Sequence, residues 1–483
     1  MTQSSRTDCV RVEPAINEAS LLEDWAQHGR TLVEVLRTRA TQSPDKLALT
    51  FLVDGEEEGD RYTYADLDRR ARAIAVDLLE RCTQGDRVLL LYPPGLDYIA
   101  AFYGCLYAGI VAVPVSLPDL GRLNRSLPRL KIVAQDADAK FALTVSSISQ
   151  KVKSLVEHHP DSGGFEWVAT DTMPEDLAAR WTEPAIASQS IAFLQYTSGS
   201  TSDPKGVMVT HQNLLYNIYD MGHRWEGDTD NCVVTWLPAF HDMGLIYGQL
   251  MPVYMACPCY IMSPLAFLQR PYRWLNAISK YRATLSAAPN FAFDLCVRKI
   301  TAEQRATLDL SSWRNATNGA EPVRADTLQR FAENFKSCGF RWDSMCPGYG
   351  LAEATLMVST TAKLEPTFLK VVPAELELHR VVEAKSSTEN ARVLVGCGRT
   401  SLDTRVIIVD PETRLPCRPD RVGEIWISGT TVAPGYWNRP KETRETFGAR
   451  LADTGEGPYL RTGDLGFVKD DILFVTGRIK DMI

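Results

Sequence analysis

Between Tyr196 and Gly206 the chain reads Tyr-Thr-Ser-Gly-Ser-Thr-Ser-Asp-Pro-Lys-Gly. Thr197, Ser198, Ser200, Thr201 and Ser202 supply hydroxyls, Gly199 a small hinge, and Lys205 a mobile positive charge. Small side chains let backbone N–H groups approach an anion, and the hydroxyls and the lysine add donors, so the chemistry indicated is binding of a polyphosphate. An apolar run, Ile191–Gln195, precedes the loop and a helical pattern begins near His211. That order predicts a strand, a loop and then a helix start, where first-turn N–H groups would join in holding the anion. A Walker loop is excluded, because Lys205 precedes Gly206 and no Ser or Thr follows it. A polar surface loop is the plain alternative, and so many hydroxyls ending in Pro-Lys-Gly argue against it.

The elements around this loop alternate. Thr63 followed by Asp66 reads as a capping box, and Leu67, Ala71, Ile74, Ala75 and Leu78 then recur at helical spacing. Gly85 and Asp86 mark a turn into Val88–Tyr92, a continuous apolar run of the kind found in buried parallel strands. Phe141–Val145, Ile191–Gln195 and Cys232–Leu237 repeat the pattern between helical stretches, which predicts an α/β fold with mainly parallel sheets. After about residue 390 the texture turns β-rich, with Thr404–Val409 and Glu424–Ser428 joined by turns, which predicts a smaller β-barrel-like subdomain. The expected division is an N-terminal domain over residues 1–476, with α/β subdomains over about 1–200 and 201–390 and the β subdomain over 391–476. Residues 360–390 read as an insertion, and 477–483 as the start of a hinge whose following domain is absent from the sequence.

Composition narrows the function classes. The 483 residues carry a net charge of −8, too mild and of the wrong sign for a large nucleic-acid footprint. Eleven cysteines lie mostly in apolar surroundings, without zinc spacing, as expected for buried thiols in a reducing compartment such as the cytoplasm. Two uncharged stretches, Tyr98–Pro118 and Met243–Gln269, have the length of membrane spans. Gly109 in the first and Pro252, Pro258 and Pro264 in the second break any continuous helix, so both read as buried core and no stable membrane insertion is expected.

Five more segments complete the pattern: Leu237-Pro-Ala-Phe-His-Asp-Met-Gly244, Asn318-Gly-Ala-Glu-Pro322, Gly348-Tyr-Gly-Leu-Ala-Glu353, Tyr459-Leu-Arg-Thr-Gly-Asp464 and Gly477-Arg-Ile-Lys-Asp481. With the 196–206 loop they resemble, in order, the motifs of the adenylate-forming ligases: acyl-CoA synthetases, luciferases and the adenylation domains of peptide synthetases. The Phe-His-Asp-Met-Gly form, Gly-Leu-Ala-Glu and the extra segment at 360–390 resemble the fatty acyl-AMP ligases. Those enzymes use ATP and Mg²⁺ to make an acyl-adenylate from a fatty acid, and pass the acyl group to an acyl carrier protein.

The resemblance implies roles residue by residue. Thr197, Ser198, Gly199, Ser200, Thr201 and Lys205 would hold the ATP phosphates. Gly319, Ala320 and Glu321 would border the adenine, Tyr349 would pack on its face, and Asp464 would accept from the ribose hydroxyls. Arg478 would reach the nucleotide, and Glu353, with Thr197, would hold Mg²⁺. His241, Lys205 and Glu353 would be catalytic. Trp236, His241, Met243 and Gly350 would border the acyl substrate; Trp236, Met243, Tyr247 and Met251 have the apolar character of an acyl tunnel, and core packing explains them equally well. No Ser nucleophile is needed, since positioning and electrostatics bring the two anions together. The alternatives are a fatty acyl-CoA synthetase, an amino-acid-activating domain and a non-catalytic adenylate-binding module. The missing final domain leads to an expectation of weak turnover.

Overall fold

The apolar runs assemble into three large sheets and a two-stranded ribbon. The computed structural model describes residues 11–12, 31–119, 123–156, 165–197, 204–225, 230–362, 364–385 and 390–481. One sheet has six strands in the order Glu166–Ala169, Phe141–Thr144, Arg87–Leu90, Val111–Pro114, Ile191–Thr197 and Lys205–Thr210. All its neighbours are parallel except the last pair. A second sheet has eight strands, in the order Met357–Thr360, Met345–Gly350, Asn315–Asn318, Leu285–Ala288, Val233–Thr235, Cys259–Met262, Leu47–Val53 and Glu57–Thr63. Its interior pairs are parallel and its two outermost pairs antiparallel. The α/β body with mainly parallel sheets is therefore the one the alternation predicts.

The third sheet is antiparallel, ordered Arg11–Val12, Arg405–Val409, Gly423–Ser428, Leu460–Lys469 and Ile472–Arg478. It is the smaller β unit expected after residue 390, with the helix Pro440–Phe447 inserted between its strands.

Local sequence accounts for the helices that pack these sheets. Thr63 and Asp66 form the capping box of the helix Tyr64–Arg81, each side chain bonded to the other residue's backbone N–H. That helix lies against Asp97–Tyr107, in which every residue from Tyr98 to Tyr107 is buried. Gly104 makes the approach possible, because a Cβ there would sit 2.5 Å from the Ile74 side chain. Gly109, at φ +67°, then turns the chain into the strand Val111–Pro114. In the second uncharged stretch a wide helical turn, Met243–Leu250, gives way to the short helix Met251–Met255, the strand Cys259–Met262 and the helix Pro264–Gln269. Among the described residues no helix is long and apolar enough to cross a membrane.

Two expectations are corrected. Residues 205–210 are not the approach to a helix start: they form a strand that folds back on Ile191–Thr197, with Thr197 opposite Lys205. The helix begins at His211, as expected, but behind that strand rather than directly after the loop, and its first turn is occupied by its own Thr210–Asn213 capping box. The cause is the run Val207-Met-Val209, whose residues pair on both edges; on the second, Met208 N–H bonds the Gly435 carbonyl. The other correction concerns the hairpin 47–63, which belongs to the eight-stranded sheet rather than to a unit ending near residue 200. Residues 360–390 also hold regular structure, a strand Phe368–Val371 paired with Arg392–Val395 and a helix Pro373–Glu377.

Candidate active site

A cavity of about 1150 Å³ opens where strands of both α/β sheets end. Thr197, Gly319, Ala320 and Gly350 line it from the ends of their strands, and Val115 from just beyond Val111–Pro114. Ligands of parallel α/β sheets gather at this carboxyl edge, where successive loops diverge. The antiparallel sheet closes the cavity from the far side with Arg461, Thr462, Asp464 and Arg478.

The rim is charged and interlocked. Tyr349 donates its hydroxyl to Asp464 Oδ2 at 2.7 Å, and Arg478 Nε stands 3.2 Å from Oδ1. Burial raises the Asp464 carboxyl above the usual range, with the Tyr349 hydroxyl and Arg478 opposing the shift. Beyond it Glu353, on a single helical turn, accepts from the Tyr436 hydroxyl at 2.8 Å. Burial pushes the Glu353 carboxyl up too, helped by the negative neighbours Asp242 and Asp464. Lys205 Nζ lies 5.1 Å above the Tyr436 ring. Tyr436 is fixed there because Gly435 and Trp437 bond the backbone of strand 205–210. At the opening His241 is half exposed, its Nδ1 2.7 Å from Asp242 Oδ1. That contact raises the imidazole pKa and favours its charged form.

Two glycines are required by close approach of backbone. At Gly350 a Cβ would lie 1.8 Å from the Leu356 carbonyl oxygen, and at Gly244 2.0 Å from that of Pro238. These approaches shape the turns that carry Glu353 and His241.

Of the residues singled out in the sequence, Thr197, Lys205, His241, Met243, Gly319, Ala320, Tyr349, Gly350, Glu353, Asp464 and Arg478 line this single cavity. Ser198, Gly199, Ser200 and Thr201 lie outside the described residues. Two expected members are elsewhere. Glu321 turns outward and accepts the Phe291 N–H at 2.6 Å, in the first turn of the helix Asn290–Lys299. Trp236 is 3 % exposed and stacks on Phe267 with ring centroids 4.0 Å apart, so it belongs to an aromatic core cluster. Met221, Trp225, Met243, Tyr247 and Met357 give the cavity an apolar part of its lining.

Sequence reasoning missed several members. Glu424 is buried and accepts from Trp426 Nε1 (2.9 Å), Arg461 Nε (2.9 Å) and the Gly463 N–H (3.1 Å), so it holds the turn that presents Asp464. Its signal was a lone carboxylate in the apolar strand Gly423–Ser428. Tyr436 and Gln195 gave no signal beyond their types.

Glu353 offers a carboxylate that suits a hard cation, and Asp242 and Asp464 add negative charge around it. Among the described residues no group of three ligating side chains could hold a metal by itself. A cation here would take its remaining oxygens from phosphate and water, as Mg²⁺ prefers.

Comparison with known proteins agrees with this geometry. Residues 36–437 match the family described as AMP-binding enzyme. The chain is 49 % identical, over 94 % of its length and 77 % of the relative's, to the medium-chain fatty acid–acyl carrier protein ligase JamA of Moorena producens (strain JHB). It is 36 % identical to the corresponding ligase TtuA of Teredinibacter turnerae, again over 94 % of this chain and 77 % of that one. Among solved structures, the fatty acyl-adenylate ligase of L. pneumophila in complex with acyl adenylate and pyrophosphate superposes with a TM-score of 0.88. It is 42 % identical, covering 95 % of this chain and 79 % of that one. The chain belongs to the AMP-binding enzyme family, whose members form adenylates from ATP.

Proposed function

We propose that this AMP-binding enzyme activates a medium- or long-chain fatty acid with ATP, forming an acyl-adenylate and pyrophosphate, and passes the acyl group to an acyl carrier protein. The observation that carries the reading is one cavity lined both by the charged and polar groups Lys205, His241, Glu353, Asp464 and Arg478 and by the apolar Met221, Trp225, Met243 and Met357. The similarity to fatty acid–acyl carrier protein ligases supports both substrate and acceptor. An amino-acid substrate is disfavoured by Asp242. Its Oδ1 already accepts the Met243 N–H at 2.6 Å and faces His241 at 2.7 Å, which leaves it poorly placed to pair with an ammonium.

In this reading the fatty carboxylate attacks the α-phosphorus of ATP in line with the leaving pyrophosphate. Two anions must meet, so the protein's task is to position them and to offset charge. Tyr349 packs on the adenine beside Gly319 and Ala320, and Asp464, turned by Tyr349 and Arg478, accepts from the ribose hydroxyls. Thr197 and Lys205 face the phosphates. His241, whose charged form the contact with Asp242 favours, stands where the carboxylate meets the α-phosphate. Mg²⁺, held by Glu353 with Thr197 nearby, would neutralise phosphate oxygens. Residues 360–390 are the segment typical of fatty acyl-AMP ligases, seated by Leu369, Val371 and Leu376 against Leu465 and Phe474. Nine of the ten described free cysteines are buried, and the compartment in this reading is the cytoplasm.

The test is pyrophosphate release with ATP, Mg²⁺ and decanoate, followed by acyl transfer to a phosphopantetheinylated carrier protein. Release with decanoate and loading of the carrier are expected. Release with leucine and not decanoate, or transfer to free CoA in preference to the carrier, would overturn the reading.

A further inference from the structure

The apolar wall of the cavity is not uniformly apolar. Trp225, Tyr247 and Ser359 line it at 8 %, 1 % and 0 % exposure, and each holds a polar atom without a hydrogen-bond partner: the Trp225 Nε1–H, the Tyr247 hydroxyl and the Ser359 hydroxyl. The first two belong together, their rings meeting edge to face with centroids 5.3 Å apart. Thr317 stands beside the Tyr247 hydroxyl and Cys346 beside the Trp225 N–H as weak neighbours only, while Thr317 donates to Asn315 Oδ1 and the Cys346 thiol meets the Thr360 hydroxyl. Leaving a buried donor unsatisfied costs about 1–3 kcal/mol. A pocket shaped only for a hydrocarbon tail would fill these positions with Phe, Leu and Ala at no such cost. The indole N–H can only donate, so the missing partner must offer an acceptor oxygen, and a hydroxyl can serve all three atoms.

We infer that the acyl substrate carries an oxygen substituent, of the hydroxyl class, remote from its carboxylate, and that Trp225, Tyr247 and Ser359 read it inside the acyl pocket. The inference rests on the adenylation reading above and narrows its substrate class. Selection follows from the asymmetry of hydrogen bonding. A site built to bond a substrate hydroxyl rejects the analogue lacking it, because its own buried groups stay unpaired.

The test uses matched pairs of acyl-sulfamoyl-adenosines from hexanoyl to dodecanoyl, each with a terminal hydroxyl or without, and measures their Kd for the full chain by calorimetry. These analogues require no turnover. At one chain length the hydroxylated member should bind about tenfold more tightly, or better, equivalent to about 1.4 kcal/mol. Trp225→Phe, which keeps the ring and removes the donor, should bring that ratio toward one, and Ser359→Ala should reduce it as well. If the plain analogue binds as tightly as its hydroxylated partner at every length, buried water satisfies the three atoms and the inference is overturned while the adenylation reading stands. If no analogue of either kind binds, both fall.

Discussion

At the rim of the cavity Asp464 is held by Tyr349 at 2.7 Å and Arg478 at 3.2 Å, whereas along its apolar lining Trp225 and Tyr247 keep buried polar atoms without a well-formed hydrogen bond. The rim is interlocked: its side chains are bonded to each other, and burial raises the carboxyls of Glu353 and Asp464 while the Tyr436 and Tyr349 hydroxyls oppose the shift. The pocket is complementary only to something not yet in it. One half of the cavity therefore reports its ligand through residues already committed, the other through residues left wanting, and substitutions should separate the two.

The largest effect is expected from Gly350→Ala. With a Cβ 1.8 Å from the Leu356 carbonyl the turn must open, displacing Tyr349 and Glu353 together. Adenylate binding should fall by about 100-fold or more, equivalent to about 2.7 kcal/mol, with a lowered Tm. Unchanged affinity would show that the rim is not built on that turn.

Asp464→Asn comes next. It removes a charged acceptor, and hydrogen bonds to charged groups are worth about 1.5–3 kcal/mol, so Kd for an acyl-adenylate analogue should rise by about 10- to 100-fold. The relative preference among acyl chains should not move. A change in that preference would mean that rim and pocket are one unit.

Glu353→Gln tests the electrostatic side. Burial, with Asp242 and Asp464, raises the Glu353 pKa in the folded chain, so its protonated form is favoured there. The stabilising contribution is present below the carboxyl's unfolded pKa and is lost as pH rises through the folded one. Near pH 8 the variant without nucleotide should therefore melt about 1–2 °C above the parent, with the gap closing toward pH 4. The same variant should bind Mg²⁺-nucleotide more weakly. A lower Tm near pH 8 would contradict the account.

Trp236→Phe should give the smallest functional effect. The stacked Trp236–Phe267 pair lies in the aromatic core, so about 1–2 kcal/mol of stability should go while the order of acyl preferences stays the same. Chemical denaturation and the analogue panel read the two quantities separately.

How much of this was legible in the sequence follows the same division. The rim could be read through the resemblance to adenylate-forming ligases: Tyr349, Glu353, Asp464, Arg478 and Lys205 were named from its motifs, and all five line one cavity. The pocket could be read only in part: Met243 and Tyr247 were named, whereas Met221, Trp225 and Met357 come from the helix His211–Arg224, its C-cap and the strand Met357–Thr360, which only folding brings beside them. Trp225 and Trp236 look alike in sequence, yet Trp236 meets Phe267 from a later helix and Trp225 meets the cavity. Glu321 sat in a motif and still points away, because a nearby helix N-terminus offered its carboxylate an N–H. The parallel α/β body was legible from its alternating runs. The sheet that receives the hairpin 47–63 was not, as its partner Cys259–Met262 lies about two hundred residues later in the chain.

The central claim is that one continuous cavity takes an adenylate at its rim and a fatty acyl chain in its wall. It is tested most directly by thermal stabilisation of the 483-residue chain with dodecanoyl-, acetyl- and leucyl-sulfamoyl-adenosine at equal concentration. A ligand at about 100 times its Kd adds about 2.7 kcal/mol to the folded state, which a melting curve resolves easily. The account predicts a strong rise in Tm with the dodecanoyl analogue and a weak one with the other two. A leucyl analogue that stabilises most, or three equal shifts, would contradict it.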